Sequence, residues 1–312
     1  MSPFELTILG CSSATPTSTR NPTAQLLQVA GRFFLIDCGE ATQIQLRKYK
    51  VKFQRIDHIF ISHLHGDHYL GLMGLLSSMH LLGRTKALWL YCPAGLEEII
   101  NVQLKHSATV LNYEINYRFH DSSKQELIFE DEKVKVKTII LNHRIPCCGF
   151  LFSEKPKPRN LKKDAIETYK IPLSAIPAIR QGQDFIAQDH SRIPNSELAF
   201  PEMQTHSYAY CSDTCYDEQV IAQVKGVDLL YHESTFTEEM KQRAIETNHS
   251  TAQDAGNVAL KAEVGVLLLG HYSARYTDLS PLLEEARRVF PNSHLSYEGM
   301  RFDVEKKSSE LA

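Results

Sequence analysis

Apolar and polar positions alternate at short period through most of the chain, a pattern that predicts strands first and helices second. FELTILG (4–10) reads as a strand, and AQLLQV and RFFLID (24–29 and 32–37) predict a hairpin turning at Ala30-Gly31. IDHIFIS (56–62) is apolar almost throughout, as a strand covered on both faces must be. GLMGLLSSMHLL (71–82) and GLEEIINVQLKH (95–106) switch to helical spacing. ELIFEDEKVKVKTIIL (126–141) alternates on both sides of Asp131-Glu132 and predicts two antiparallel strands.

The texture changes at Glu154. Up to about Ser207 the sequence is proline-rich and short of apolar runs, which predicts an inserted arm (154–206) extending from one domain spanning 1–312, and not a second domain. Strands resume with SYAYCSD (207–213), VDLLYHES (227–234) and VGVLLLGHYS (264–273). A helical stretch rich in Ala, Glu and Lys precedes the last of these. A helix, PLLEEARRVF (281–290), and one further strand, SHLSYEGMRFDV (293–304), close the chain. Similar mixtures of strands and helices on either side of the insertion predict an α/β fold: two sheets face to face, with helices on both outer faces.

Composition narrows the picture. The 312 residues are 43% hydrophobic, enough for a sizeable core. A net charge of −3 gives no general attraction to nucleic acid, so an acidic partner needs a local basic patch. No apolar run approaches the ~18 residues of a membrane helix, and the first residues lack the basic flank of a secretory signal. Seven dispersed cysteines do not form a disulfide framework and point to reduced thiols in the cytoplasm.

The chemistry concentrates where ISHLHGDHYLGL (61–72) leaves its strand, with His63, His65, Asp67 and His68 in six positions. His63 and His65, two apart, can point the same way, while the adjacent Asp67 and His68 diverge unless they serve different ions. Imidazole with carboxylate suits zinc, and manganese or iron less selectively. Four residues cannot complete two coordination shells. His143, Asp213 and His271, each ending an apolar run, are the candidates to complete them, and a carboxylate such as Asp213 can bridge two ions. Cys147-Cys148 reads as buried packing.

HLHGDH resembles the HxHxDH signature of the metallo-β-lactamase superfamily. Within it the chain resembles the RNase Z family through LIDCGEATQ, NHRIPCCGF, CSDT, HEST, NHST and GHYSARY. The resemblance implies an αββα metallo-β-lactamase fold. It implies one zinc on His63, His65, His143 and Asp213, and a second on Asp67, His68, Asp213 and His271. Asp67 becomes the candidate to accept the proton of the attacking water. Glu233 paired with His249 would supply the acid for the leaving ribose oxygen, and Ser273 and Arg275 would contact phosphate. Arg20 and Asn21 match a loop that the family uses near its active site.

The expected activity is removal of 3′ trailers from precursor tRNA after the discriminator nucleotide, leaving a 3′-hydroxyl. Two Zn²⁺ per subunit are expected, with Mn²⁺ or another divalent ion possible. The expected partner is precursor tRNA and not DNA, bound by a homodimer. The basic stretch 154–164 carries Lys155, Lys157, Arg159, Lys162 and Lys163 against Glu154 and Asp164, a net +3, in the place of the family's tRNA-clamping arm. It departs from the family pattern in lacking a Gly-Pro element near IPLSAIPAIRQGQ (171–183). A small-molecule phosphodiesterase or esterase on the same fold is the alternative. A non-catalytic RNA-binding protein would be expected to have lost ligands, and an iron oxidoreductase would need a redox domain that the sequence does not show.

Overall fold

A computed structural model describes residues 3–311, with side chains to 309. Residues up to Ser153 and from His206 onward form one compact unit; Glu154–Thr205 form another.

In the larger unit the first half of the chain supplies β1 (Glu5–Gly10), β2 (Ala24–Val29), β3 (Arg32–Ile36), β4 (His58–Phe60), β5 (Leu88–Cys92) and β6 (Ile115–Phe119). Next come β7 (Leu127–Glu130), β8 (Val134–Ile140) and β9 (Cys148–Glu154). The short β10 (Phe185–Ile186) and β11 (Arg192–Ile193) belong to the second unit. After it follow β12 (Ser207–Cys211), β13 (Leu229–Glu233), β14 (Val266–Gly270), β15 (Ser293–Leu295), β16 (Met300–Asp303) and β17 (Ser308–Leu311). One sheet runs β17-β16-β1-β2-β3-β4-β5-β6, the other β15-β14-β13-β12-β9-β8-β7. The β2–β3 hairpin turns where predicted, with Ala30 and Gly31 both at positive φ (50° and 84°), as a type I′ turn requires.

The facing sides of the two sheets make one core. Leu6, Ile8, Phe34 and Phe60 from the first sheet pack with Phe150, Phe152, Tyr210 and Leu229 from the second. Phe60 stacks on Tyr91 at 4.3 Å between ring centroids, a pair worth about 1 kcal/mol beyond its burial. The outer side of the first sheet (Leu26, Leu35, Ile59) is covered by the helices Leu72–Leu81 and Gly95–His106 through Leu75, Leu76, Leu96 and Ile100. The outer side of the second is covered by the helices Ala252–Lys261 and Ser280–Val289 through Val258, Ala259, Leu282 and Ala286. Alternation along each strand puts one set of side chains inward and the other under a helix, and the result is the expected αββα sandwich.

Two stretches differ from the sequence expectation. SHLSYEGMRFDV is not one strand: it breaks at Ser296–Gly299, so that β15 completes the second sheet and β16 returns to the first. Gly299 at φ 87° allows the sharp reversal. The helical stretch before β14 is two helices, Lys241–Thr247 and Ala252–Lys261, parted at Asn248, which takes the left-handed conformation (φ 55°). The second begins with a capping box between Thr251 and Asp254. NHST occupies the break.

Glu154–Thr205 has a small core of its own, built from Ala165, Ile171, Ile179, Ile193, Leu198 and Ala199. Residues 155–160, which hold Pro156 and Pro158, are neither helix nor strand.

Candidate metal centre

Parallel pairing aligns β3 with β4, and β12 with β13 and β14, so their carboxyl ends collect on one edge of the sandwich. Asp37 follows β3, His63 follows β4, Asp213 follows β12, Glu233 ends β13 and His271 follows β14. Asp37, Asp213 and His271 sit at φ 54°, 62° and 56°, left-handed backbone that Asp and His tolerate better than most residues. Such non-glycine positions are strained and gather where a side chain must be aimed. The HLHGDH loop packs directly on Cys38-Gly39: Cys38 donates to the His68 carbonyl at 2.7 Å, and Gly71 to the Cys38 carbonyl at 2.9 Å. A Cβ on Gly71 would lie 1.9 Å from the Gly39 oxygen, so glycine is required there.

These ends bring all seven candidate ligands together in two sets that share Asp213. In one, His63 Nε2 lies 3.2 Å and His143 Nε2 3.5 Å from Asp213 Oδ2, and His65 Nδ1 lies 3.0 Å from His63 Nε2 and 3.2 Å from His143 Nε2. In the other, His68 Nε2 is 3.4 Å from Asp67 Oδ2 and from Asp213 Oδ1, while His271 Nε2 is 3.4 Å and 2.9 Å from the same two atoms. Tetrahedral bonds of ~2.0–2.1 Å place neighbouring donors about 3.3 Å apart, so both sets have the spacing of a small divalent cation's shell. Asp213 turns one oxygen to each.

The imidazoles are oriented from behind. His143 Nδ1 donates to the Asn248 carbonyl at 3.0 Å, and His68 Nδ1 to Asp37 Oδ2 at 2.7 Å. His63 Nδ1 meets Ser62 Oγ at 3.0 Å, and His271 Nδ1 meets Thr235 Oγ1 at 3.0 Å. Each contact puts the ring proton on Nδ1 and leaves Nε2 a lone pair for the centre. His68 Nε2 and His271 Nε2 are buried with no hydrogen-bond partner among the described residues. A divalent cation fits these donors.

The field of the site agrees. Burial disfavours charge on His271, but Asp213, Asp67 and Glu233 push its pKa up to about 10. Burial likewise opposes ionisation of Asp67, and His68 and His271 drive its carboxyl far below the usual range all the same. The carboxylates therefore demand positive charge at this spot, which cations supply as well as protonated imidazoles do.

Glu233 and His249 meet beside the second set. His249 Nδ1 lies 3.0 Å and 3.1 Å from the two oxygens of Glu233. Glu233 is fully buried and also accepts from Thr214 N (2.6 Å), Thr235 Oγ1 (2.5 Å) and Ser250 N (3.1 Å). Burial opposes the His249 charge, and Glu233 outweighs it, so the imidazole pKa is raised. Arg275 is exposed, donates to Ser273 Oγ at 3.0 Å and lies 5.0 Å over the Phe236 ring. Phe236 also meets His249 edge-on at 6.2 Å. Arg20 donates to the Tyr276 carbonyl at 2.7 Å and Asn21 to Glu298 at 3.0 Å, which ties their loop to GHYSARY and to the turn before β16. The same loop aims the Ala14 amide at Asp67 Oδ2, 2.7 Å away.

Lys155, Lys157 and Arg159 belong to the Glu154–Thr205 unit, where Lys157 pairs with Glu154 at 3.2 Å and Arg159 donates to Asn195 at 2.7 Å. Cys147 and Cys148 are buried, with Cys147 Sγ 3.6 Å from His63 Nδ1. Among the described residues no helix is long and apolar enough to cross a membrane. Three residues at this centre had no role assigned from sequence: Asp37 and Thr235, which orient ligands, and Arg144 at the pocket wall. The signals were Asp37 closing a strand, the threonine two positions after Glu233, and a cation next to His143.

Fold and site together define a hydrolase of the metallo-β-lactamase fold. Residues 4–156 match the family described as Anti-Pycsar protein Apyc1. Ribonuclease Z of Phocaeicola vulgatus is 47% identical over 98% of this chain and 99% of its own length, and that of Bacteroides thetaiotaomicron 47% over 96% and 95%. The short form of human tRNase Z is similar in structure, with a TM-score of 0.70 and 27% identity, covering 96% of this chain and 99% of its own. The chain belongs to the ribonuclease Z family.

Proposed function

We propose that this protein is a zinc-dependent endoribonuclease that cuts precursor tRNA after the discriminator nucleotide, freeing the 3′ trailer and leaving a 3′-hydroxyl. The observation that carries the reading is the pair of donor sets, each at coordination spacing, joined through the two oxygens of Asp213. Zinc suits that mixture of imidazole and carboxylate, with manganese as a second choice. Two bound cations would supply Lewis acidity and lower the pKa of the attacking water.

The chain's own residues do the rest. Asp67, held by the Ala14 amide, takes the water's proton. Glu233 holds His249 through Nδ1, so that Nε2 presents a proton to the departing ribose oxygen. Arg275, fixed over Phe236 and beside Ser273, binds phosphate. Lys155, Lys157 and Arg159, on an arm that serves as a tRNA-binding exosite within a single-domain protein, grip the backbone away from the cut. We further propose a homodimer in the cytoplasm, with RNA and not DNA as substrate.

Incubation with an end-labelled precursor tRNA tests this. One cut after the discriminator is expected, abolished by chelator and restored by Zn²⁺. Hydrolysis of model diesters with indifference to folded tRNA would favour a small-molecule phosphodiesterase instead.

A further inference from the structure

Beside the two donor sets lies a pocket of about 320 Å³. That is near the lower end of the ~300–1,000 Å³ typical of small-ligand sites, and enough for one nucleotide. Its wall includes three carboxylates (Glu40, Asp67 and Asp213) and one residue of permanent positive charge, Arg144. A phosphate entering a hollow lined this way is repelled unless cations meet it.

Arg144 is placed to be one of them. Its side chain is exposed and makes no hydrogen bond or ion pair with any described residue. It springs from a fixed base: His143 is held through Asn248, Asn142 N donates to Thr214 Oγ1 at 3.1 Å, and Cys215 N donates to the Asn142 carbonyl at 3.0 Å. The backbone just before Arg144 is thus clamped to the centre, while the guanidinium stays free. A structural arginine shows the opposite arrangement here: Arg84 is buried, pairs with Asp57 at 3.0 Å and donates to four backbone carbonyls.

We infer that Arg144 is the phosphate-binding cation of this pocket, and that the pocket seats a single nucleotide with its phosphate between the guanidinium and the Asp213 edge. Its fork meets two phosphate oxygens at once, which lysine cannot do. This deepens the proposed nuclease reading and rests on it for the substrate, but phosphate binding can be measured apart from cleavage.

The test is calorimetric titration of adenosine 5′-monophosphate into the Zn²⁺-loaded protein and its Arg144→Ala and Arg144→Lys variants, with metal content and melting temperature recorded for each. Wild type should bind, Arg144→Ala about 10- to 100-fold more weakly, and Arg144→Lys between them. Added guanidinium ion should recover part of the alanine variant's loss. Equal affinity in wild type and Arg144→Ala, no binding by wild type, or a loss that merely follows lost metal would each overturn the inference. A wild type that binds the nucleotide through Arg144 yet leaves precursor tRNA uncut would uphold it and refute tRNA processing.

Discussion

Asp37 never reaches the pocket, yet both donor sets lean on it. Its buried carboxylate accepts from Ser62 N (2.8 Å), Ser62 Oγ (2.9 Å), His68 Nδ1 (2.7 Å) and Tyr210 OH (2.6 Å). Asp37→Asn keeps the shape and removes the charge. With its oxygen towards His68 and Tyr210, the new amide nitrogen faces the Ser62 N–H, two donors in conflict. In the flipped orientation it faces three. At least one bond is lost, and the rest lose the ionic share that makes charged hydrogen bonds worth about 1.5–3 kcal/mol each. The metal-free fold should therefore lose about 2–4 kcal/mol, read by urea denaturation. Losing the carboxylate behind a metal-bound imidazole costs ~10–100-fold in affinity. The shell containing His68 should weaken that much, and the shell of His63, which Asp37 touches only through Ser62, should weaken less. Competition with a chromophoric chelator measures both equivalents of Zn²⁺. Wild-type affinity at both would refute the reasoning.

Other outcomes follow from the same geometry. His249→Ala should lower kcat on precursor tRNA about 10²–10⁴-fold with zinc content unchanged; an equal loss of zinc would make His249 a ligand and not an acid. Changing Lys155, Lys157 and Arg159 together to Gln should raise KM for precursor tRNA, cut the slope of log binding against log salt by about 3, and spare a small diester. An equal loss on both substrates would refute the exosite. Burial between Phe34 and Phe129 holds the His58 pKa down to about 4. The unfolded chain takes up a proton near pH 6.5 that the fold refuses, so stability falls as pH drops from 6.5 towards 4, by about 3 kcal/mol at most. Compared metal-free, His58→Phe should show a shallower acid decline; parallel curves would place the slope elsewhere.

Strand ends were legible in the sequence because a polar residue closing an apolar run has few other reasons to sit there. His143, Asp213 and His271 were found on that signal, and the other four ligand candidates by their crowding in HLHGDH, just past a strand. The depth behind them was not. Nothing in the spacing tells which acceptor, Asn248, Asp37, Ser62 or Thr235, turns each imidazole, since those contacts span up to 105 positions in the chain. The split of SHLSYEGMRFDV between two sheets was hidden for a related reason. Alternation survives the turn, and only Gly299 marks the reversal. Arg144 passed unnoticed because an exposed arginine beside a histidine looks like any other surface charge until the pocket wall is drawn around it.

The most direct test of the central claim is anomalous diffraction at the zinc edge from crystals of the metal-loaded protein. Two peaks ~3.5–4 Å apart are predicted, one within bonding distance of His63, His65, His143 and Asp213, the other of Asp67, His68, Asp213 and His271. A single peak, or two with Asp213 bound to neither, would contradict it.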